Sequence, residues 1–280
     1  MKFLMNIENG TTNIKKMGVI KALLVLLLAT LLEWFGQVPE EILKLFSGKF
    51  DKVVPYAILA FGILVKFYVI IILLRWVSNK TNEKKHKYHL DLRSFAYVAL
   101  MIIALRMVFD NSLSLWISNI AIPDFINEAF EEISISPIIF IISVIVVAPI
   151  YEEIIFRGIL LQGMSKKINP NVALVVSALL FALVHLNIPQ GINAFFLGLA
   201  IGFIYLRTDS IYLSIFAHFV NNFLALSASS LFGLIQGRYA MEIHGMFFIV
   251  GVIILVLVYK EYDQNKIKDV PEIYKQFIEI

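Results

Sequence analysis

The sequence predicts an all-α fold, a polytopic membrane helix bundle with about eight transmembrane helices. Hydrophobic residues make up 59% of the 280 residues and charged residues 16%, whereas soluble domains have roughly 45–50% apolar and about 25% charged residues. The mean hydropathy of +0.81 is correspondingly high, and the apolar residues are grouped into long stretches. This composition excludes an ordinary soluble domain and makes the lipid bilayer the expected partner of the chain.

Eight apolar stretches approach the length of a membrane-spanning helix, which is roughly 20 residues. They are Gly18–Phe35, Val53–Val77, Ser94–Phe109, Ile138–Leu161, Val172–Leu186, Ile192–Leu206, Ile211–Phe232 and Met241–Tyr259. The third, fifth and sixth stretches are short, so they must borrow flanking residues or lie within the bundle.

Positive charges are distributed unequally between the two sides of this predicted bundle. Of the 24 Lys and Arg residues, 16 fall on the side that holds both termini, four fall within spans, and four fall on the other side. These last four are Lys44, Lys49, Lys52 and Arg238. Because positively charged loops face the cytoplasm, the sequence predicts a multi-pass protein of the cell membrane with both termini cytoplasmic.

The remaining composition excludes several classes of function. The net charge of +3 is the sum of these loop charges, so it indicates a membrane topology signal and no nucleic-acid partner. The chain contains no Cys, which excludes disulfides, thiolate metal ligands and a cysteine nucleophile.

We interpret residues 1–280 as a single integral membrane domain in three parts. Residues 1–136 hold scaffold spans and an external loop, residues 137–232 form the working core, and residues 233–280 hold the last span and a charged cytoplasmic tail. The division follows the polar residues within the spans, which concentrate in the middle part.

The predicted external loop, residues 110–136, is acidic and is expected to hold an amphipathic helix. Its acidic residues are Asp110, Asp124, Glu128, Glu131 and Glu132. The first three spans contain few polar residues, mainly Lys66 and Arg106, and this part of the chain is therefore interpreted as scaffold.

Polar side chains of three later spans are the candidates for function. They are Glu152, Glu153 and Arg157 on the fourth span, His185 on the fifth, and His218 and Asn222 on the seventh. An ionisable side chain at the bilayer centre costs at least about 2.5 kcal/mol, so such residues usually face a partner or a water-filled cavity. Counted at about 1.5 Å per residue from the cytoplasmic ends of their spans, four of these side chains, those of Glu152, His185, His218 and Asn222, fall in one layer of the membrane.

Helical spacing assigns different surroundings to the two neighbouring acids. Glu153 and Arg157 stand at i and i+4, with the acid first, which is the favourable order for an ion pair. Glu152 points about 100° away, which leaves it to face a cavity. A buried polar cluster that only locks the helix remains the structural alternative.

Three motifs occur in order on successive hydrophobic segments. They are Glu-Glu-x-x-x-Arg at residues 152–157, Phe-x-x-x-His at residues 181–185 and His-x-x-x-Asn at residues 218–222. Together they resemble the CAAX protease and bacteriocin-processing (CPBP, or Abi) family of intramembrane proteases, which includes the Ras-converting CAAX prenyl endopeptidases. The resemblance covers roughly Pro137 to Leu231 and identifies residues 137–232 as the catalytic core.

The resemblance implies an intramembrane endopeptidase. Glu152 would be the general base that activates water with help from His185. His218 and Asn222 would polarise the scissile carbonyl and stabilise the oxyanion. Peptide hydrolysis requires a water molecule, a base that deprotonates it, and donors that stabilise the oxyanion.

The resemblance also implies supporting residues. Glu153 and Arg157 would support the site without taking part in the reaction. Gly198 and Gly202 in the sixth span form a small-x-x-x-small pair that permits close helix packing, and Gly198 belongs to a small-residue segment that is similar to one in the family.

Two questions of chemistry remain open at the level of sequence. Glu, two His and Asn could surround Zn²⁺ with an open position for water, but the His-Glu-x-x-His signature is absent, so metallo-type and glutamate-type catalysis are both retained.

The alternative function is a non-catalytic membrane immunity or peptide-binding protein, or a transporter. The high usage of Ile, Lys and Asn is typical of a low-GC bacterium, so the expected substrate is a bacterial peptide or protein precursor.

A cysteine at Asn127, in the segment predicted to be external, tests the orientation. It would be the only thiol in a chain without Cys, and we expect it to react with a membrane-impermeant reagent in intact cells. Lys80→Cys, on the predicted cytoplasmic side, is the matched control and should react only after permeabilisation. The reverse pattern of labelling would invert the predicted topology.

Overall fold

The computed structural model describes residues 2–44, 53–81, 90–128, 136–232, 235 and 237–264, and the elements of this part of the chain are nearly all helical. They are α1 Lys2–Glu8, β1 Thr12–Ile14, α2 Val19–Lys44, α3 Val54–Val77, β2 Ser78–Lys80, α4 Leu92–Asp110, α5 Leu113–Ile117, α6 Pro137–Ser165, α7 Pro170–Leu183, α8 Ile188–Thr208, α9 Ile211–Phe232 and α10 Ala240–Gln264. A further short helical segment covers 124–128.

Six of these helices, α2, α3, α4, α6, α8 and α10, contain apolar segments long enough to cross a membrane. Two shorter apolar helices cover Pro170–Leu183 and Ile211–Ser227. The prediction of an all-α polytopic membrane bundle is therefore confirmed. The third and sixth predicted spans are extended by flanking residues to 19 and 21 residues, whereas the fifth is a helix of 14 residues.

The chain divides into two compact units. The first unit comprises Met1–Lys84 and Asp124–Ile168 and contains α2, α3 and α6. The second comprises Lys85–Pro123 and Asn169–Ile280 and contains α4 and the helices from α7 onward.

In the first unit, the amino-terminal segment is fastened to the end of α6. Strands β1 and β2 pair antiparallel in the register Thr12 to Lys80. Lys166, just after α6, donates from Nζ to Asn13 Oδ1 and to the Ile14 carbonyl, both at 2.7 Å. The Met17 amide donates to the carbonyl of Gly163 in α6 at 2.9 Å. These bonds fix the carboxyl-terminal end of α6, the helix that carries the candidate acids. This end is predicted to face the cytoplasm.

In the second unit, α4 packs against α9 and α10. His244 of α10 is joined to Asn111, just after α4, by a hydrogen bond of 2.7 Å between Nδ1 and Oδ1. His244 lies in the first turns of α10.

The structure corrects the predicted start of the acidic loop. Asp110 is the last residue of α4, is 9% exposed, and forms an ion pair of 2.9 Å with Arg106 one turn earlier. The pair compensates both charges on one helix. Asp124 and Glu128 are exposed, whereas Glu131 and Glu132 lie outside the described residues.

Gly198 of α8 permits the close approach of α7. A Cβ added at Gly198 would lie 3.0 Å from Ala178 Cα, 3.1 Å from Ala178 Cβ and 3.4 Å from a ring carbon of Phe181. The predicted packing role of Gly198 is therefore confirmed. The contact fixes the position of the Phe181 ring. Phe181 is the first residue of the Phe-x-x-x-His motif.

Gly198→Ala should lower the melting temperature of the detergent-solubilised protein. The new methyl group would meet a backbone atom of α7, and overpacking of this kind typically costs about 1–3 kcal/mol. Gly62→Ala in α3 is the matched control, because its Cβ would meet nothing within 4 Å and Ala is preferred to Gly in helices by about 1 kcal/mol. Equal melting shifts in the two variants would contradict the packing role.

Candidate functional site

The Glu153–Arg157 ion pair is formed as the helical spacing predicted. Arg157 Nη1 donates to Glu153 Oε1 at 2.8 Å, and the two side chains are 1% and 0% exposed. Burial of this kind is tolerated only when each charge is compensated. The pair therefore fixes one of the two neighbouring acids inside the first unit. The predicted ion pair is confirmed, and the supporting role of Glu153 and Arg157 remains a prediction.

Glu152 has different surroundings from Glu153. It is partly exposed, whereas Glu153 is 0% exposed. The two adjacent carboxylates thus differ in burial. Such a difference between neighbouring titratable groups is how acid and base roles are separated in enzymes.

Helix α6 changes its winding beside these residues. Ala148–Glu153 is α-helical, whereas Ile142–Val147 and Ile154–Leu161 are π-helical. Insertions of π-helix are rare and occur frequently at functional sites. The wider turns also mean that a depth counted at 1.5 Å per residue overestimates the distance from Lys166 to Glu152.

Lys66, which the sequence predicted to be part of the scaffold, lies beside Tyr151. Its ammonium group is 4.6 Å from the centroid of the Tyr151 ring and forms an ion pair with Glu33 of α2. The signal for this cluster was present in the sequence, because Lys66 interrupts α3, whose most apolar 18-residue window has a mean hydropathy of 2.8, the highest of the six candidate spans.

In the second unit, Phe181 brings the two predicted histidines together. The ring centroids of Phe181 and His185 are 5.1 Å apart, and those of Phe181 and His218 are 5.6 Å apart. Both imidazoles meet the phenyl ring edge to face, at 88° and 86°. His218 is 4% exposed, whereas His185 is partly exposed.

The hydrogen bond made by His185 determines which ring nitrogen can accept a proton. Nδ1 lies 2.8 Å from the Phe181 carbonyl oxygen. A carbonyl can only accept, so Nδ1 carries the proton, and the Nε2 atom of the neutral ring is the acceptor. His185 is thereby oriented as a base at Nε2.

His185 does not lie within a helix, which corrects the prediction that the fifth span continues to Leu186. Helix α7 ends at Leu183, and Leu186 adopts a left-handed backbone conformation with φ of 56°. The Asn187 side chain then caps α8 by accepting from the Gln190 amide at 2.9 Å, and it donates to the His185 carbonyl at 3.0 Å. A left-handed backbone conformation at a residue other than glycine costs energy, and the Asn187 hydrogen bonds stabilise the turn that contains His185.

Asn222 is oriented by a neighbour that the sequence analysis did not select. Asn221 Nδ2 donates to Asn222 Oδ1 at 3.0 Å. Asn221 is 4% exposed, and its Oδ1 has no hydrogen-bond partner among the described residues. Because Asn222 Oδ1 accepts from Asn221, its Nδ2 is the atom that can donate to a bound carbonyl.

The predicted residues are therefore grouped by unit. Glu152, Glu153 and Arg157 lie in the first unit, whereas His185, His218 and Asn222 lie in the second. That Glu152 acts together with the histidines remains a prediction. Within the described part of the chain, no group of three His, Asp or Glu side chains is arranged to hold a metal ion.

Comparisons with known proteins match the segment that carries this site. Residues 134–224, which include all three motifs, match the family model described as "Type II CAAX prenyl endopeptidase Rce1-like". The Bacillus subtilis (strain 168) protein named "Putative membrane peptidase YdiL" is 30% identical over 156 residues, or 55% of this chain and 64% of that relative. The chain thus covers less than two thirds of the relative's length. No solved structure matches the chain.

Glu153→Gln should destabilise the protein more than Glu152→Gln. The first substitution leaves buried Arg157 without its charged partner, which typically costs about 3–5 kcal/mol. The second keeps the side-chain shape at a partly exposed position and preserves the Glu153–Arg157 pair. Thermal melting of the two variants in detergent measures the difference, and equal destabilisation would contradict the assigned environments.

Proposed function

We propose that this chain, whose residues 134–224 match the Rce1-like family model, is a membrane-embedded endopeptidase of the CAAX protease and bacteriocin-processing family that uses Glu152 to activate water. The observation that carries the proposal is the separation of the two adjacent acids. Glu153 is held in a buried ion pair with Arg157, whereas Glu152 is partly exposed. The ion pair thus gives Glu153 a structural role, and the partial exposure of Glu152 supports its role as the general base.

The proposed reaction begins with the activation of water. Glu152 takes a proton from the water molecule, and His185 Nε2 accepts a hydrogen bond from the same water. The water oxygen attacks the peptide carbonyl carbon and forms a tetrahedral intermediate. General base catalysis of this kind typically contributes about 10²–10⁴-fold in rate.

Donors from α9 act on the developing oxyanion. Asn222 Nδ2 and a ring N–H of His218 donate hydrogen bonds to the carbonyl oxygen as it becomes negatively charged. Donors that are already oriented need no rearrangement during the reaction, and each can contribute roughly 10²–10³-fold in kcat. The peptide C–N bond then breaks, and the proton held by Glu152 passes to the leaving amine nitrogen.

The proposed substrate is a peptide or protein precursor that reaches the bilayer of a bacterial cell. Amino-acid usage supports the source, and the apolar surface of the spans supports a substrate that approaches through lipid. The steps above use the glutamate-type reaction; in the metallo-type alternative, Glu152, His185, His218 and Asn222 would hold Zn²⁺, which would activate the water. A chelator separates the glutamate-type from the metallo-type reaction.

Glu152→Gln, His185→Ala and His218→Ala should each lower the hydrolysis of a fluorogenic peptide by about 100-fold or more per folded molecule. The double variant of His185 and His218 should be little worse than either single variant, since residues that act as a unit are far from additive. His244→Gln is the control, because Gln can replace the hydrogen bond to Asn111 and activity should be retained.

The same assay distinguishes the alternatives. Activity that persists in a zinc chelator supports a water activated by Glu152 alone, whereas loss of activity that added Zn²⁺ restores would replace that step with a metal-bound water. Full activity of His218→Ala, or of Glu152→Gln, would overturn the assigned roles. Peptide binding without hydrolysis by the unmodified protein would establish a non-catalytic binding protein instead.

A further inference from the structure

A groove lies at one end of the first unit, where the start of α2 meets the ends of α3 and α6. Its volume is about 640 Å³. The candidate membrane span of α2 begins here, and those of α3 and α6 end here. The groove therefore lies at a membrane surface, on the side predicted to face the cytoplasm. The lining residues that matter for its chemistry are Gly18, Ile20, Lys21, Leu24, Trp76 and Lys167.

Three lysine side chains from separate parts of the chain meet at this groove. Lys15 adjoins it and donates from Nζ to the Trp76 carbonyl at 3.1 Å. Lys21 Nζ lies 5.9 Å from the centroid of the Trp76 ring. A Cβ added at Gly18 would lie 3.4 Å from Lys167 Nζ, so the Lys167 ammonium lies close to the backbone at the start of α2. Lys21 and Lys167 thus bring two positive charges into the groove itself.

The charges of Lys21 and Lys167 are not compensated by the described part of the chain. Among the described residues, neither lysine forms an ion pair with a carboxylate, and the described lining of the groove contains no Asp or Glu. Like charges that are brought together repel each other, so an anion between them is favourable. The groove is therefore complementary to a negatively charged group.

The groove continues into an apolar surface along α2. Ile20 and Leu24 stand four residues apart, so they share one face of the helix, and they are 78% and 53% exposed. Trp76 is also exposed, and Trp is enriched where membrane helices meet the lipid head groups. A ligand that matches the whole groove therefore has a negatively charged group at the lysines and an apolar chain against α2.

We propose that this groove binds an anionic phospholipid, with its phosphate between Lys21 and Lys167 and an acyl chain along Ile20 and Leu24. Basic pockets between membrane-spanning helices are typical sites for anionic head groups, and a lysine ammonium donates hydrogen bonds to phosphate oxygens. The bound phosphate joins the start of α2 to the residue that follows Lys166 at the end of α6. The inference does not depend on the proposed peptidase activity.

Trp76 serves as a reporter of lipid in the groove. The chain has three Trp residues, and Trp34 and Trp116 are 61% and 80% exposed, so Trp34→Phe with Trp116→Phe leaves Trp76 alone without disturbing the core. The full-length protein is reconstituted in phosphatidylcholine vesicles that contain a minor fraction of phosphatidylglycerol. We expect phosphatidylglycerol with brominated acyl chains to quench Trp76 more than brominated phosphatidylcholine at the same mole fraction, with a relative affinity of about fivefold or more.

Substitutions of the two lysines test the charge complementarity. Lys21→Gln with Lys167→Gln should remove the preference for phosphatidylglycerol, because the Gln side chain carries no charge. Lys21→Arg with Lys167→Arg keeps both charges and should retain the preference, since Arg also binds phosphate. Lys80→Gln is the matched control, because Lys80 is exposed in β2, just after α3, and lies outside the groove lining. It should leave the preference unchanged.

A variant that keeps only Trp34 controls for a general enrichment of anionic lipid around the protein. Trp34 lies toward the other end of the α2 span, so it should show no preference. An equal preference at Trp34 and Trp76, equal quenching of Trp76 by the two lipids, or a preference that survives in the double Gln variant would each overturn the proposal. Full loss of the preference in millimolar inorganic phosphate would show that the groove binds free phosphate and would overturn the lipid as its ligand.

Discussion

Compensation of charge inside the membrane is the constraint on which the rest of this structure depends. Lipid cannot solvate an ionised side chain, so each charge in a span needs a partner within the protein. The Glu153–Arg157 pair meets this requirement within α6, at 2.8 Å and with both side chains buried. The pair fixes Glu153, whereas the adjacent Glu152 is partly exposed.

The same constraint relates the amino-terminal helices to the proposed site. A scaffold of lipid-facing helices needs no charges, yet α2 and α3 contribute Glu33 and Lys66, and these meet beside Tyr151. Arg106 and Asp110 in α4 are compensated within their own helix. A pair within one helix stabilises that helix, whereas a pair between helices also fixes how they pack. The cluster at Lys66 therefore fixes how α2, α3 and α6 pack.

The sequence predicted the features that depend on local spacing. Hydropathy identified the apolar helices, and the interval of four residues identified the ion pair between Glu153 and Arg157, because both signals need only neighbouring residues. It did not predict the π-helical winding of α6 or the end of α7 at Leu183. Neither has a strong local signal, since Val184, His185 and Leu186 continue an apolar helical pattern and only the Asn187 cap and the backbone of Leu186 end it.

The sequence by itself thus determined the membrane class, the apolar helices and the chemical identity of the candidate site residues. Only the tertiary structure decided the partners of those residues: Phe181 between the rings of His185 and His218, Asn221 against Asn222, and Lys66 beside Tyr151. The physical reason is the distance along the chain. Contacts such as Glu33 with Lys66 join residues on separate helices, so they depend on helix packing, which close approaches such as Gly198 against Ala178 make possible.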